Sequence, residues 1–191
     1  MPAIDRRKQI VEAAAKSFSL FGYKATTMDQ VSKIANVGKG TIYTFFTNKE
    51  ELFDEILHDV IAEMRLVVAK HIREEESFFD NLYKGLDGLL EFRSAHELLV
   101  KLSQEVREFG TVKAQQAMQR VEHAILDYLE KQIVKAAENG EIKNVDPKIG
   151  SFVMMKLYIA LSLDWNKQHE PLGKEQIKEY FRIFLAEGLQ P

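Results

Sequence analysis

The sequence predicts an all-α chain, with three helices at the front and about six behind them. Three observations carry this. Apolar residues recur at helical spacing along almost every segment. Only 4 prolines and 10 glycines are spread over 191 residues, too few to interrupt long helices. Runs of β-branched residues are short, which leaves helix as the default.

The elements follow in order. From Arg6, apolar or small residues recur at Ile10, Ala13, Ala14, Phe18 and Phe21, and Gly22 closes the stripe as a C-terminal cap. Thr27 offers a hydroxyl to cap a short second helix, with Asp29 and Gln30 in its first turn and an end near Ala35-Asn36. A third short helix is predicted over 38–45, and Asn48 caps a fourth that begins at Lys49. Leu52, Phe53, Ile56, Leu57, Val60, Met64 and Val67 keep the fourth in phase to about His71. Glu74-Glu75-Glu76 and Ser77 mark a break. Helices over 77–93 and 95–109 come next, parted near Ser94. Gly110-Thr111 opens a seventh, striped by Val121, Ala124, Ile125, Tyr128, Leu129, Ile133 and Ala136 and stopped by Asn139-Gly140. Asp146-Pro147 is a strong start for a helix over 147–167, apolar on nearly every side from Phe152 to Leu163. The last helix, over 173–188, carries Ile177, Phe181, Phe184 and Leu185.

Composition narrows the function. Apolar residues make up 46% and charged residues 29%, enough to bury a core. The absence of cysteine excludes disulfides and thiol chemistry. The first ten residues lack the apolar stretch of a secretion signal, and no run reaches a membrane span, since Lys156 breaks the most apolar one. A soluble cytoplasmic protein without membrane attachment is expected. The 5 histidines show no metal-ligand spacing, and no nucleophile elbow, phosphate loop or dinucleotide fingerprint occurs. No enzyme activity, catalytic residue, metal or cofactor is therefore expected. The net charge of −3 is unevenly placed: residues 1–50 carry eight basic groups against four acidic ones, and the remaining residues carry 18 against 25. A basic head sits on an acidic body.

Residues 26–53 read TTMDQVSKIANVGKGTIYTFFTNKEELF. Two short helices are joined by about three residues, and Val31, Ile34, Val37, Ile42 and Phe46 would wedge them steeply against the first helix, as a helix-turn-helix requires. The second of the pair is then free to enter the major groove of duplex DNA. Its outward residues are short or polar: Gly38, Lys39, Gly40, Thr41, Tyr43 and Thr44. The glycines let backbone approach phosphate, and Thr41 is small enough to reach base edges. Tyr43 and Lys49 have the reach for flanking phosphates, and Thr27 heads an amide-rich helix start.

These residues resemble the N-terminal domain of the tetracycline-repressor (TetR) family of bacterial regulators. The likeness runs from about Arg6 to Ile56. It includes Ala13-Ala14 with Phe18, Phe21-Gly22, Thr26-Thr27, Val37, Lys39-Gly40-Thr41-Ile42-Tyr43, Phe46, and Lys49-Glu50 with Leu52. Two positions depart from the family pattern. Asn36 replaces the usual turn glycine but tolerates the left-handed conformation, and Gly38 replaces a hydroxyl that would cap the recognition helix. The second departure bears on operator preference.

A head at 1–50 and an effector-binding and dimerisation body at 51–191 are expected. Such heads act in pairs on half-sites about one turn of DNA apart or multiples of it, so the body must pair. The last two helices are the candidates, through Phe152, Leu161, Trp165, Ile177, Phe181, Phe184 and Leu185. The resemblance implies the same, a four-helix bundle between two copies. It also implies a cavity for a small molecule whose binding releases DNA. Met64, Phe79, Leu86, Leu102, Met118, Ile125 and Met155 are apolar candidates for its lining, with His123, Tyr128 and Tyr158 as orienting polar groups. The expected function is a homodimeric repressor on a palindromic operator, released by a mostly apolar effector. The alternative is a DNA-associated architectural or co-regulatory protein without an effector.

Overall fold

A computed structural model describes residues 5–186, and among them the fold is all-α. The helices are α1 (Arg6–Ala25), α2 (Met28–Ile34), α3 (Lys39–Tyr43), α4 (Lys49–His71), α5 (Phe78–Ala95), α6 (Glu97–Phe109), α7 (Val112–Glu138), α8 (Pro147–Ile159) and α9 (Lys174–Phe181). Their order is the one the sequence pattern predicts.

The punctuation is local chemistry. Asp5 caps α1 by accepting from the Lys8 amide at 3.0 Å. Gly22, at φ 81 and ψ 175, breaks the helical path within α1, a conformation costly for a residue with a Cβ. Asn48 accepts from the Glu51 amide at 2.9 Å, and Glu51 accepts from the Thr47 amide at 2.7 Å, so two side chains bond backbone amides at the start of α4. Asp146 accepts from the amides of Lys148 and Ile149 at 2.9 and 3.1 Å, with Pro147 in the first turn of α8.

The two C-terminal helices are shorter as regular α-helix than their apolar stripes predict. Beyond Ile159 the chain continues as a π-turn over Ala160–Asp164 and a 3-10 turn over Trp165–Lys167. The Ser162 hydroxyl donates to the Tyr158 carbonyl at 2.6 Å, and the Asn166 amide group donates to the Ser162 carbonyl at 3.0 Å. Side chains thus compete for the carbonyls that backbone amides would otherwise use. Beyond Phe181, a π-turn over Arg182–Ala186 continues α9.

The chain divides into two compact units, Met1–Arg65 with Phe92–Arg120, and Leu66–Glu91 with Val121–Pro191. In the first, α1 packs on α2 and α6, and α2 packs on α3. Its core joins Ile10, Phe18, Val31, Ile42, Phe46, Leu52, Phe53, Leu57, Leu98 and Leu102, all essentially inaccessible. Phe18 meets Phe53 edge-on at 5.1 Å and Tyr23 in a stack at 6.0 Å, and Tyr23 meets Phe53 at 4.9 Å. Arg7 pairs with Glu55 through both carboxylate oxygens, and Asp54 receives Lys113 at 3.0 Å and Arg120 at 2.7 Å. In the second unit, Phe78, Leu86, Ile133, Ile142, Met154, Tyr158, Ile177, Phe181 and Leu185 form the core. The Phe78 amide at the start of α5 donates to Glu141 at 2.6 Å, and Lys178 reaches Asp87 at 2.9 Å.

Phe18 is fully buried and meets both other rings of the three-ring contact. Phe18→Ala should lower the unfolding free energy of the full chain by about 3–5 kcal/mol in urea titration. A loss under about 1 kcal/mol would mean that the neighbouring rings close the space unaided.

Candidate nucleic-acid interface

The predicted helix-turn-helix, α2 and α3, begins at the turn after Gly22. Buried Thr26 donates its hydroxyl proton to the Gly22 carbonyl at 2.8 Å and lies 3.1 Å from the Ser17 hydroxyl. Thr27 forms a capping box with Gln30: its hydroxyl accepts from the Gln30 amide at 3.2 Å, and the Gln30 side chain accepts from the Thr27 amide at 2.9 Å. Asn36 adopts φ 51, the left-handed turn its side chain tolerates, and the Val37 amide bonds back to the Ser32 carbonyl at 3.0 Å.

Gly38 caps α3 without a side-chain acceptor. Ile42 anchors α3 in the core with no accessible surface, and Gly38, Lys39, Gly40, Tyr43 and Thr44 are exposed around it with Thr41 half-buried. A Cβ added at Gly40 would touch nothing within 4 Å, so the space above it is unfilled by the chain itself. One added at Gly38 would sit 3.6 Å from the Thr41 hydroxyl, an ordinary contact. The Thr44 hydroxyl donates to the Thr41 carbonyl at 2.7 Å and closes the helix, which therefore ends at Tyr43 rather than near 45.

The charges are more constrained than their number suggests. Lys39 pairs with Asp29 across α2 and α3 at 2.8 Å, both groups well exposed. The hydrogen bond from Lys39 holds the Asp29 carboxyl below its ordinary range, and Asp29 holds Lys39 above its own. Lys49, expected at a phosphate, turns its ammonium onto the α1–α2 turn. It donates to the carbonyls of Tyr23 at 2.8 Å and Thr26 at 3.0 Å and lies 4.2 Å from the centre of the Tyr23 ring. Two of its three protons are thus committed, and burial lowers its pKa against the opposing charges of Glu105 and Glu50. Burial, then the nearby Glu50 carboxylate, pushes the Tyr23 hydroxyl up to about 12.

One participant escapes a reading by sequence. Glu105 on α6 is buried and accepts from the Lys24 amide at 3.0 Å. Its signal is its phase: with Leu98 and Leu102 it occupies the inward stripe of α6, where an acid is out of place.

The other expected residues fall less simply. Of the dimer set, Phe152, Trp165 and Phe184 are exposed, and Leu161 is partly buried against the second core. Ile177, Phe181 and Leu185 are instead inside that core, 4%, 2% and 6% exposed, because the stripe of α9 is covered by its own chain. Of the effector set, Met64, Leu102 and Met118 belong to the first unit, and Phe79, Leu86, Ile125, Tyr128, Met155 and Tyr158 to the second. His123 is exposed and lines no interior. A surface groove of about 580 Å³ in the second unit is lined by Glu130, Lys131, Val134, Lys135, Glu138, Asp146, Pro147 and Lys148, none of them expected for the effector. Among the described residues no helix is long and apolar enough to cross a membrane.

The family described as bacterial regulatory proteins, tetR family, matches residues 10–56. The chain is similar to YhgD, an HTH-type transcriptional regulator of Bacillus subtilis (strain 168), at 50% identity over 187 residues and 98% of both chains. Among solved structures it is similar to the fatty acid degradation regulator FadR of Bacillus halodurans, with a TM-score of 0.72 at 16% identity over 97% of this chain and 96% of that one. It is also similar to AibR, solved with isovaleryl coenzyme A and operator DNA, with a TM-score of 0.63 at 22% identity over 93% and 96%. At these identities the two structural likenesses speak to the fold.

The reciprocal bonds of Thr27 are worth about 1 kcal/mol to the chain by the usual scale of N-caps. Thr27→Ala should lose that stability in a thermal melt, and Thr27→Ser should retain most of it. Equal melts for both variants would show that the cap does not hold α2.

Proposed function

This chain belongs to the tetR family of bacterial regulatory proteins, and on that premise we propose that it acts as a homodimeric repressor, bound to a palindromic operator and released by a small, mostly apolar effector. As a member of that family it is a DNA-binding transcriptional regulator and not an enzyme. The observation that carries the reading is α3. It is a five-residue helix with Ile42 as its only buried residue, outward residues that are short or polar, and open space above Gly40. Such an element fits a groove edge-on but covers little of it, so useful affinity needs two heads on one duplex.

DNA reading is assigned to 1–50, with Thr27, Gly38, Lys39, Gly40, Thr41, Tyr43 and Thr44 toward the duplex. Lys49 reaches a phosphate only with the donor it has left. Pairing and effector binding are assigned to 51–191. Pairing is supported by the apolar side chains that α8 and its continuation leave uncovered, Ile149, Phe152, Val153 and Trp165, together with Phe184 beyond α9. Patches of that kind on a soluble chain mark interfaces. An effector with an apolar part is supported by the apolar character of Phe79, Leu86 and Met155, and by a neighbour of the same fold that was solved with isovaleryl coenzyme A, a charged molecule with an apolar acyl end. To release DNA it must favour one arrangement of the heads over the other by about 1–3 kcal/mol.

Two experiments test this. Light scattering on the full chain at micromolar concentration should give a dimer, and Phe152→Glu with Phe184→Glu should give a monomer with weak operator binding; a monomeric wild type would refute the dimer. Tyr43→Ala and Lys39→Ala should each weaken DNA binding, and Lys39→Ala should also reduce the slope of log affinity against log salt by about 1, the value for one phosphate no longer neutralised. An unchanged affinity in both variants, with an unchanged slope for Lys39→Ala, would remove these residues from the DNA-facing set.

A further inference from the structure

We infer that Glu105, far from the reading pair in sequence, is a positioning residue for operator reading: from α6 it holds the α1–α2 turn on which the pair is mounted. The inference rests on the DNA-reading assignment of α2 and α3.

A carboxylate only 4% exposed is expensive to keep unless its oxygens are bonded. What Glu105 bonds is main chain. Its Oε1 accepts from the Lys24 amide at 3.0 Å, two residues beyond the point where Gly22 interrupts the helical path. Its Oε2 lies against Gly22 itself, so that a Cβ at residue 22 would stand 2.3 Å from that oxygen. Gly22 is therefore fixed twice, by its φ of 81 and by the carboxylate pressed onto it.

The same turn is gripped from α4 with the opposite polarity. Lys49 donates to the carbonyls of Tyr23 and Thr26 while Glu105 accepts from the amide between them. Thr26 runs straight into Thr27, the cap of α2, so these bonds fix where α2 leaves α1 and hence where α3 presents its outward residues. Glu105 adds no positive charge and touches none of the outward residues of α3. Its loss should disorient the pair without weakening the general attraction of the head for phosphate.

The test uses the full chain and two probes: a duplex enriched by the wild-type protein from a randomised pool, and an unrelated duplex of equal length. Glu105→Leu should bind the enriched duplex about ten-fold more weakly and the unrelated one within about two-fold of wild type. Glu105→Gln keeps an acceptor oxygen of the same shape and should restore most of the affinity for the enriched duplex. Amide exchange at Lys24 should be slow in the wild type and in Glu105→Gln, and fast in Glu105→Leu. Equal loss on both duplexes, or none on the enriched one, would overturn the positioning role. A rapidly exchanging Lys24 amide in the wild type would overturn it without any variant. A pool in which the wild type enriches nothing would refute the operator reading itself, and this inference with it.

Discussion

A chain that kinks within an α-helix at a left-handed residue needs side chains to bond the amides and carbonyls around the kink, and at Gly22 these bonds tie α2 to the end of α1. The Thr26 hydroxyl takes the Gly22 carbonyl, Lys49 takes the carbonyls of Tyr23 and Thr26, and Glu105 takes the Lys24 amide. Backbone polarity in a buried place must be answered, and here the answers come from α4, α6 and the turn itself. The orientation of α2 and α3 follows from that arrangement, and the aromatic contact of Phe18, Tyr23 and Phe53 lies directly beneath it.

The distribution of charge takes on a different meaning beside these bonds. The head has an excess of basic groups within a chain of net charge −3. Yet Lys39 is partnered by Asp29, and Lys49 is turned into the fold. Of the two lysines proposed to meet DNA, neither is therefore a bare ammonium group. An ion pair exposed to water is weak, and a phosphate oxygen can replace the Asp29 carboxylate at modest cost.

Much of the fold is legible in the sequence because its signals are local. The caps at Thr27, Asn48 and Asp146, the breaks at Gly22 and Asn36, and the helical phase of α4 and α7 each act over a few residues. The outward residues of α3 are legible for the same reason, since one buried Ile42 fixes the phase of so short a helix. What escapes is long-range. An apolar stripe says that a face is covered but not by what, and Ile177, Phe181 and Leu185 prove to be covered by their own chain. Lys49 reads as a free cation in sequence because its acceptors, two main-chain carbonyls, leave no trace in residue type. Glu105 is inconspicuous because its partner lies 81 residues away. The π-turn after Ile159 depends on hydroxyl and amide side chains taking carbonyls, a competition that apolar periodicity does not register.

The unfilled space at Gly40 has a consequence for how such a protein changes over generations. A glycine inside a helix costs the fold roughly 0.5–1 kcal/mol relative to alanine, and nothing in this chain requires one there. New side chains can therefore be tried at that position, and at Gly38 beside it, without disturbing the packing that anchors Ile42. The surface proposed to face DNA is thus insulated at these two positions from the core. On the proposed reading, a lineage could vary these two positions one at a time, whereas Gly22, pressed against Glu105 at a φ of 81, leaves no room for a side chain.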